Sequence, residues 1–246
     1  MKKTFRLSIT CARAITFASA LFLVGILASP SLAADDRGFY VQYNAGAVHV
    51  PNQNLTNADA SGVSNTTGQK FSGHTDQNPG FAVGGAIGAR FLEHFRAEVE
   101  YMYRESEVTS FSIQTGPSSA DGDVDMSTIM ANVYAEYDFE IGILPYVGIG
   151  IGWGSLHLNA KNREVPELSR IDGRDSVFVY SVMAGGSYPV NEMVDLTFGY
   201  RYLRTTDSEM KNSLSVPSVT PTARRARRLD YEYDAHEGVV GLRFNF

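Results

Sequence analysis

An alternation of apolar and polar residues with a period of two is the feature that most constrains this fold. Between positions 95 and 104, Phe, Ala, Val, Tyr and Tyr alternate with Arg, Glu, Glu, Met and Arg. Successive side chains of a β-strand point to opposite faces, so this run predicts a strand with one apolar and one charged face. Similar alternation predicts eight strands, at about 38–49, 80–91, 95–104, 129–139, 145–158, 176–188, 195–202 and 237–246.

The lengths of the connections predict how these strands are arranged. Three links are only a few residues long, near Glu93–His94, Glu140–Ile143 and Pro189–Glu192. The others are long and polar, at about 50–79, 106–125, 159–175 and 204–230. Short turns at one end and long loops at the other are typical of an all-β, eight-stranded, antiparallel up-and-down transmembrane barrel. A soluble sandwich would expose its polar faces to water, whereas charges of both signs on these faces favour a closed lumen.

The first 33 residues are predicted to be a cleaved signal peptide, with the barrel domain spanning 34–246. Basic residues at positions 2, 3, 6 and 13 precede an apolar run from Ala14 to Ala28, and Ser31 to Ala33 fits a cleavage site. The alternative is a retained transmembrane helix, but the apolar run is shorter than the roughly 20 residues that a span needs. Removal of the four basic residues leaves 17 Lys and Arg against 27 Asp and Glu, a formal charge of −10.

Five ordered segments carry a resemblance to a known family. They are Gly84–Phe91, Arg96–Tyr101, Pro145–Gly152, Asp195–Tyr202 and the terminal Gly241–Phe246. Together they resemble the small bacterial outer-membrane β-barrel proteins, which include the OmpA-type membrane domain and the surface-antigen barrels. The likeness extends over the proposed mature chain except for its loops. A terminal strand that ends in Phe244 and Phe246 resembles the signal recognised by the barrel-insertion machinery.

The resemblance implies a location in the outer membrane of a Gram-negative cell. The even strand number and the short turns then place both termini in the periplasm and the long loops outside. The expected partners are outer-membrane lipid and lipopolysaccharide, the insertion machinery and host surface molecules. We expect a monomer without a cofactor, and an exported acidic chain does not favour nucleic acid as a partner.

Charged residues on the inward faces are the main candidate site. Five are basic and six are acidic: Arg90, Arg96, Glu98, Glu100, Arg104, Glu136, Asp138, Asp195, Arg201, Glu237 and Arg243. One interpretation is an ion-selective pore. The other is a network of ion pairs that fills the lumen, since eight strands leave an interior just wide enough for side chains. The nearly equal charges favour the filled lumen, because buried charges need partners. The inward glycines of the same strands are interpreted as making room for large neighbours.

Catalysis is not expected. The five histidines are scattered and show no metal-ligand spacing. Ser155 and His157 share one face of a predicted strand near a long loop, where a lipid-facing hydrolase would place such a pair, but no nearby motif supports that role.

An arginine cluster in the last long loop is the most unusual feature of the sequence. It comprises Arg224, Arg225, Arg227 and Arg228. Arginine clusters bind phosphate and sulfate, so the run is a possible contact for lipopolysaccharide phosphates or host glycosaminoglycans. The alternative is a solvated loop charge or an exposed protease site.

Two functions remain open from the sequence alone. One is a structural or surface-interaction barrel, antigen- or adhesin-like, that acts through its long loops. The alternative is a narrow porin-like channel for small solutes. Barrels of this fold have many roles, so the likeness does not choose between them.

Overall fold

A computed structural model describes residues 38–51, 53–57, 72–113, 116–139, 142–162, 170–206, 208–212, 227–231 and 233–246. The predicted signal peptide lies outside these residues. The strands of the described part are β1 Phe39–His49, β2 Gln53–Asn57, β3 Ser72–Gln77, β4 Gly80–Leu92, β5 Phe95–Ile113, β6 Gly116–Glu136, β7 Leu144–Asn162, β8 Arg170–Asn191, β9 Val194–Thr205, β10 Ser208–Asn212, β11 Arg227–Tyr231 and β12 Asp234–Asn245.

Eight of these strands close into an antiparallel barrel, which confirms the predicted fold class. Their order around the wall is β1, β4, β5, β6, β7, β8, β9 and β12, so neighbours in the wall follow one another along the chain. The ring closes where the first strand pairs with the last, with Tyr40 opposite Asn245 and His49 opposite His236. We call the end with the tight turns at 93–94 and 192–193 the turn end, and the opposite end the loop end.

The prediction of a second long loop at 106–125 is wrong, because the hairpin of β5 and β6 continues through most of this range. The ladder between β5 and β6 extends to Ile113 opposite Gly116. This segment is rich in Ser, Asp and Gly and lacks an apolar face, so its sequence loses the period-two signal while the backbone pairing persists. The third loop is likewise shorter than predicted, since β7 reaches Asn162 and β8 begins at Arg170.

Short strands within the first and fourth long connections extend the wall at the loop end. β3 pairs with the far part of β5, β2 pairs with β3, and β11 lies between β2 and β10. These segments were predicted to be loops, because polar strands of five or six residues carry too little pattern to be recognised.

The outer surface of the barrel is a belt of exposed apolar side chains. Val147, Ile149, Ile151 and Trp153 follow one another along the outer face of β7 and are 58–70% exposed. Such a continuous apolar surface is unsuited to water and fits hydrocarbon. No helix long and apolar enough to cross a membrane occurs in the described part of the chain.

Candidate functional site in the barrel interior

The interior contains two charged layers and one apolar layer, which overlap on β5, where Met102 of the apolar layer lies between Glu100 and Arg104. Along β12, Arg243 lies in the first, Glu237 in the second and Ala235 in the third. The turn-end layer contains Arg90, Arg96, Arg243, Glu98, Glu136 and Asp195. The middle layer contains Arg104, Arg201, Glu100 and Glu237. The apolar layer is the buried cluster that includes Val48, Met126, Met130, Leu156, Leu158, Val177, Val179, Leu203 and Tyr233.

Glu98 is the centre of hydrogen bonding in the turn-end layer. Its Oε2 accepts hydrogen bonds from Tyr40 Oη at 2.8 Å and Arg96 Nη1 at 2.9 Å. Its Oε1 accepts from Asn132 Nδ2 at 3.1 Å and Tyr134 Oη at 2.8 Å. Four donors therefore surround one fully buried carboxylate, which is the condition under which burial of a charge is tolerable.

The arginines of this layer pair with carboxylates and stack on tyrosine rings. Arg96 Nε donates to Glu136 at 2.7 Å, and the Arg96 guanidinium lies 3.5 Å from the centroid of the Tyr134 ring. Arg243 contacts the same glutamate at 3.4 Å and lies 4.9 Å from the centroid of the Tyr40 ring. The cation–π contacts add to the ion pairs in this buried environment.

The middle layer is built from two arginine–glutamate pairs. Arg201 donates to both oxygens of Glu100 at 2.7 Å, a bidentate arrangement. Arg104 donates to both oxygens of Glu237, from Nε to Oε1 and from Nη2 to Oε2, and its Nη1 donates to Thr128. Arg201 also lies 3.8 Å from Glu237 and so joins the two pairs.

Two amide side chains connect the charged layers. Arg243 Nε donates to Gln42 Oε1 at 2.9 Å, and Gln42 Nε2 donates to Asn44 Oδ1 at 2.7 Å. Asn44 Nδ2 then donates to Glu100 in the middle layer at 3.2 Å. The network is therefore continuous, and its members are held cooperatively.

Each charged layer is formally neutral in the described residues. The turn-end layer holds three arginines and three acids, and the middle layer holds two of each. The prediction that Asp138 faces the interior is wrong, because this residue is exposed. β6 ends at Glu136, so the alternation that assigned it to the lumen no longer applies there. Arg90, at the mouth of the turn end, is about one-third exposed.

The apolar layer was not expected from the sequence. Its members are 0–2% exposed although they face the lumen. One signal could have revealed it: Val177 and Val179 lie on the inward face of the predicted sixth strand, where an amphipathic barrel strand should be polar. The layer places buried hydrocarbon in the loop-end half of the barrel, beside the polar side chains of Arg104 and Thr128.

Inward glycines leave room for the tyrosines of the network. A Cβ atom on Gly88 would lie 2.3 Å from Tyr40, and one on Gly148 would lie 2.4 Å from Tyr134. A cavity of about 20 Å³, about the size of one water molecule, remains beside Gln42, Asn44 and Arg201. Nearby, Arg201 Nε and Arg243 Nη2 have no hydrogen-bond partner among the described protein atoms.

Comparison with known proteins identifies the family. Residues 19–246 match the family described as the outer membrane protein beta-barrel domain. The chain belongs to this family. It is 24% identical over 243 residues to an outer membrane protein of Gluconacetobacter diazotrophicus, covering 93% of this chain but only 63% of that relative's length.

Solved structures support the fold of this outer-membrane barrel. The outer membrane protein OprG of Pseudomonas aeruginosa superposes with a TM-score of 0.58 and 15% identity, covering 85% of this chain and 95% of that chain. The outer membrane protease OmpT of Escherichia coli superposes with a TM-score of 0.52 and 12% identity, covering 85% of this chain and 97% of that chain.

The other predicted sites of this outer-membrane barrel are the arginine cluster and the terminal phenylalanines. Arg227 and Arg228 belong to β11, where they are in register with Asn212 and Lys211, while Arg224 and Arg225 fall outside the described residues. Phe244 packs edge-on against Tyr43 with the ring centroids 6.1 Å apart. Phe246 is 44% exposed, and its backbone N–H donates to the carbonyl of Phe39 at 2.9 Å. Recognition of these phenylalanines by the insertion machinery stays a prediction.

Ser155 and His157 lie on the outer face of β7 near the loop end. His157 Nδ1 is 3.6 Å from Asp125 Oδ2, a neighbour that the sequence analysis did not identify because it lies on β6. No group of three or more His, Cys, Asp or Glu residues within the described ranges could hold a metal ion.

Proposed function

We propose that this outer-membrane barrel is a non-conducting anchor that presents its loop end at the cell surface. Its role is structural and surface-interacting, antigen- or adhesin-like, and resides in the long connections. The filled interior carries this proposal. Two neutral, hydrogen-bonded layers and one apolar layer occupy the section that a porin-like channel would need for water.

The layers act together as barriers. An ion that enters from the turn end must displace arginines held by two or three acceptors each, and breaking such buried ion pairs costs much free energy. The ion must also pass the apolar layer, where an unpaired charge is even less favourable. Breaking one layer alone therefore does not open a path.

The orientation is part of the proposal. The ends of the barrel chain, at Phe39 and Phe246, lie together at the turn end. Outer-membrane barrels have short turns at the periplasmic side and longer loops outside, so the turn end is assigned to the periplasm.

Single-channel recording in a planar bilayer tests the closed interior. Protein purified from outer membranes carries a fluorophore, so that inserted barrels are counted. We expect no openings from the native protein. The double variant R201A/E100A removes a neutral pair and should also stay silent, because the apolar layer is intact. Steady openings of the native protein whose ion selectivity changes in this variant would establish the porin-like alternative.

The arginine cluster is the proposed contact for anionic groups at the surface. Replacement of its four arginines by serine should weaken binding to lipopolysaccharide vesicles, with replacement by lysine as the charge-matched control. Equal binding by the native and serine forms would refute the contact. We also infer that the barrel is not an enzyme, and covalent labelling of Ser155 by a fluorophosphonate probe would contradict this.

A further inference from the structure

Two histidines face each other across the ladder that closes the barrel. His49, the last residue of β1, is directly opposite His236 of β12. Both side chains are on the outer face near the loop end, where His49 is exposed and His236 is half-buried. Side chains directly opposite on antiparallel strands have Cβ atoms about 5 Å apart. That separation lets both imidazoles reach one ion at metal–nitrogen distances of about 2 Å.

The His236 ring is held in place by neighbouring tyrosines. Its Nδ1 lies 2.5 Å from Tyr200 Oη, and its ring centroid lies 5.2 Å from that of Tyr202. In the tautomer in which Nδ1 carries the proton and donates it to Tyr200 Oη, Nε2 has the free lone pair and is the ligating atom. Histidines that bind metals commonly have their second ring nitrogen fixed in this way.

The surroundings leave space for an ion. One residue pair nearer the turn end, Ala47 lies opposite Gly238, and a Cβ atom on Gly238 would have nothing within 4 Å. Toward the loop end, Asp234 lies 3.4 Å from Arg204 and accepts a hydrogen bond from Tyr202. This neighbouring pair is neutral, so it does not repel a cation.

We propose that His49 and His236 bind one divalent transition-metal ion of the Zn²⁺, Cu²⁺ and Ni²⁺ class. Imidazole nitrogen is the ligand type that suits these metals, and water or a lipid head group supplies the remaining positions. The ion would join the first strand of the barrel to the last. The site is independent of the filled lumen and goes beyond the proposed function.

Calorimetric titration with ZnCl₂ tests the site. The full protein, free of any polyhistidine tag, is titrated in detergent together with H49Q and H236Q. We expect one site per barrel and a loss of affinity of more than about tenfold in each variant. Y200F should lose about tenfold, as substitutions that orient a metal ligand do. H157Q and H94Q are the matched controls and should bind as the native protein does.

Cu²⁺ electron paramagnetic resonance reports the ligands separately from affinity. The native protein should show two coordinating nitrogens, H49Q one, and Y200F still two. Heat-modified gel mobility confirms that each variant is folded. Absence of binding by the native protein, unchanged binding in H49Q, or loss of binding in H157Q would overturn the proposal.

Discussion

The ion pair between Arg104 and Glu237 gives the sharpest test of the filled interior. Both side chains are at most 1% exposed, and each has a further contact: Arg104 with Thr128, and Glu237 with Arg201. We expect E237L to destabilise the barrel, because it leaves the Arg104 guanidinium buried with only a hydroxyl acceptor. R104M should cost less, because Glu237 keeps Arg201.

The magnitudes follow from what each substitution leaves behind. Loss of one partner of a buried pair costs about 3–5 kcal/mol, which is the value expected for E237L. Loss of a charge-assisted hydrogen bond with a second cation nearby costs about 2–3 kcal/mol, the value for R104M. The double variant R104M/E237L leaves the bidentate Arg201–Glu100 pair intact and restores neutrality, so it should lose only about 1–2 kcal/mol. The coupling energy is then about 3 kcal/mol or more.

Urea titration in lipid vesicles measures these free energies. Trp153 is the only tryptophan of the chain and lies 70% exposed on the outer face, so its fluorescence reports release from the lipid. Additive losses in the double variant, or single losses below about 1 kcal/mol, would refute the reasoning, because they would mean that water screens the pair. That result would also favour an open lumen.

Two further pairs of substitutions test the wall of the barrel. G88A should lower the free energy of unfolding by about 1–3 kcal/mol in the same assay, because the added methyl group overlaps the Tyr40 ring; G238A, which adds a methyl group in open space, should change it by less than about 0.5 kcal/mol. I149R should cost about 2–4 kcal/mol and S155R, on the same face nearer the loop end, about 0–1 kcal/mol; equal costs would contradict the assigned membrane depth.

The strands were predictable because their signal is local. Alternation along β5 assigned each of its first ten side chains to the correct face, since a period of two depends only on neighbouring residues. The same rule failed at Asp138, where the strand ends, and between 106 and 125, where the sequence is mostly polar.

The partners within the interior were not predictable. Arg104 and Glu237 are 133 residues apart, and Arg243 and Gln42 are 201 apart. Which side chains meet depends on the register of eight strands around the ring, which no single segment determines. The sequence therefore indicated the charges and their balance, but neither their pairing nor the layer of hydrocarbon above them.

The ladder between the first and last strands has a consequence for assembly. Gln42 of β1 meets Arg243 only when β12 docks on β1. Until that step, the polar side chains of the sheet remain hydrated on an open surface. Pairing of these two edge strands is therefore also the step that expels water from the barrel interior. Closure of the barrel and removal of water from its interior become a single event, completed when β12 pairs with β1.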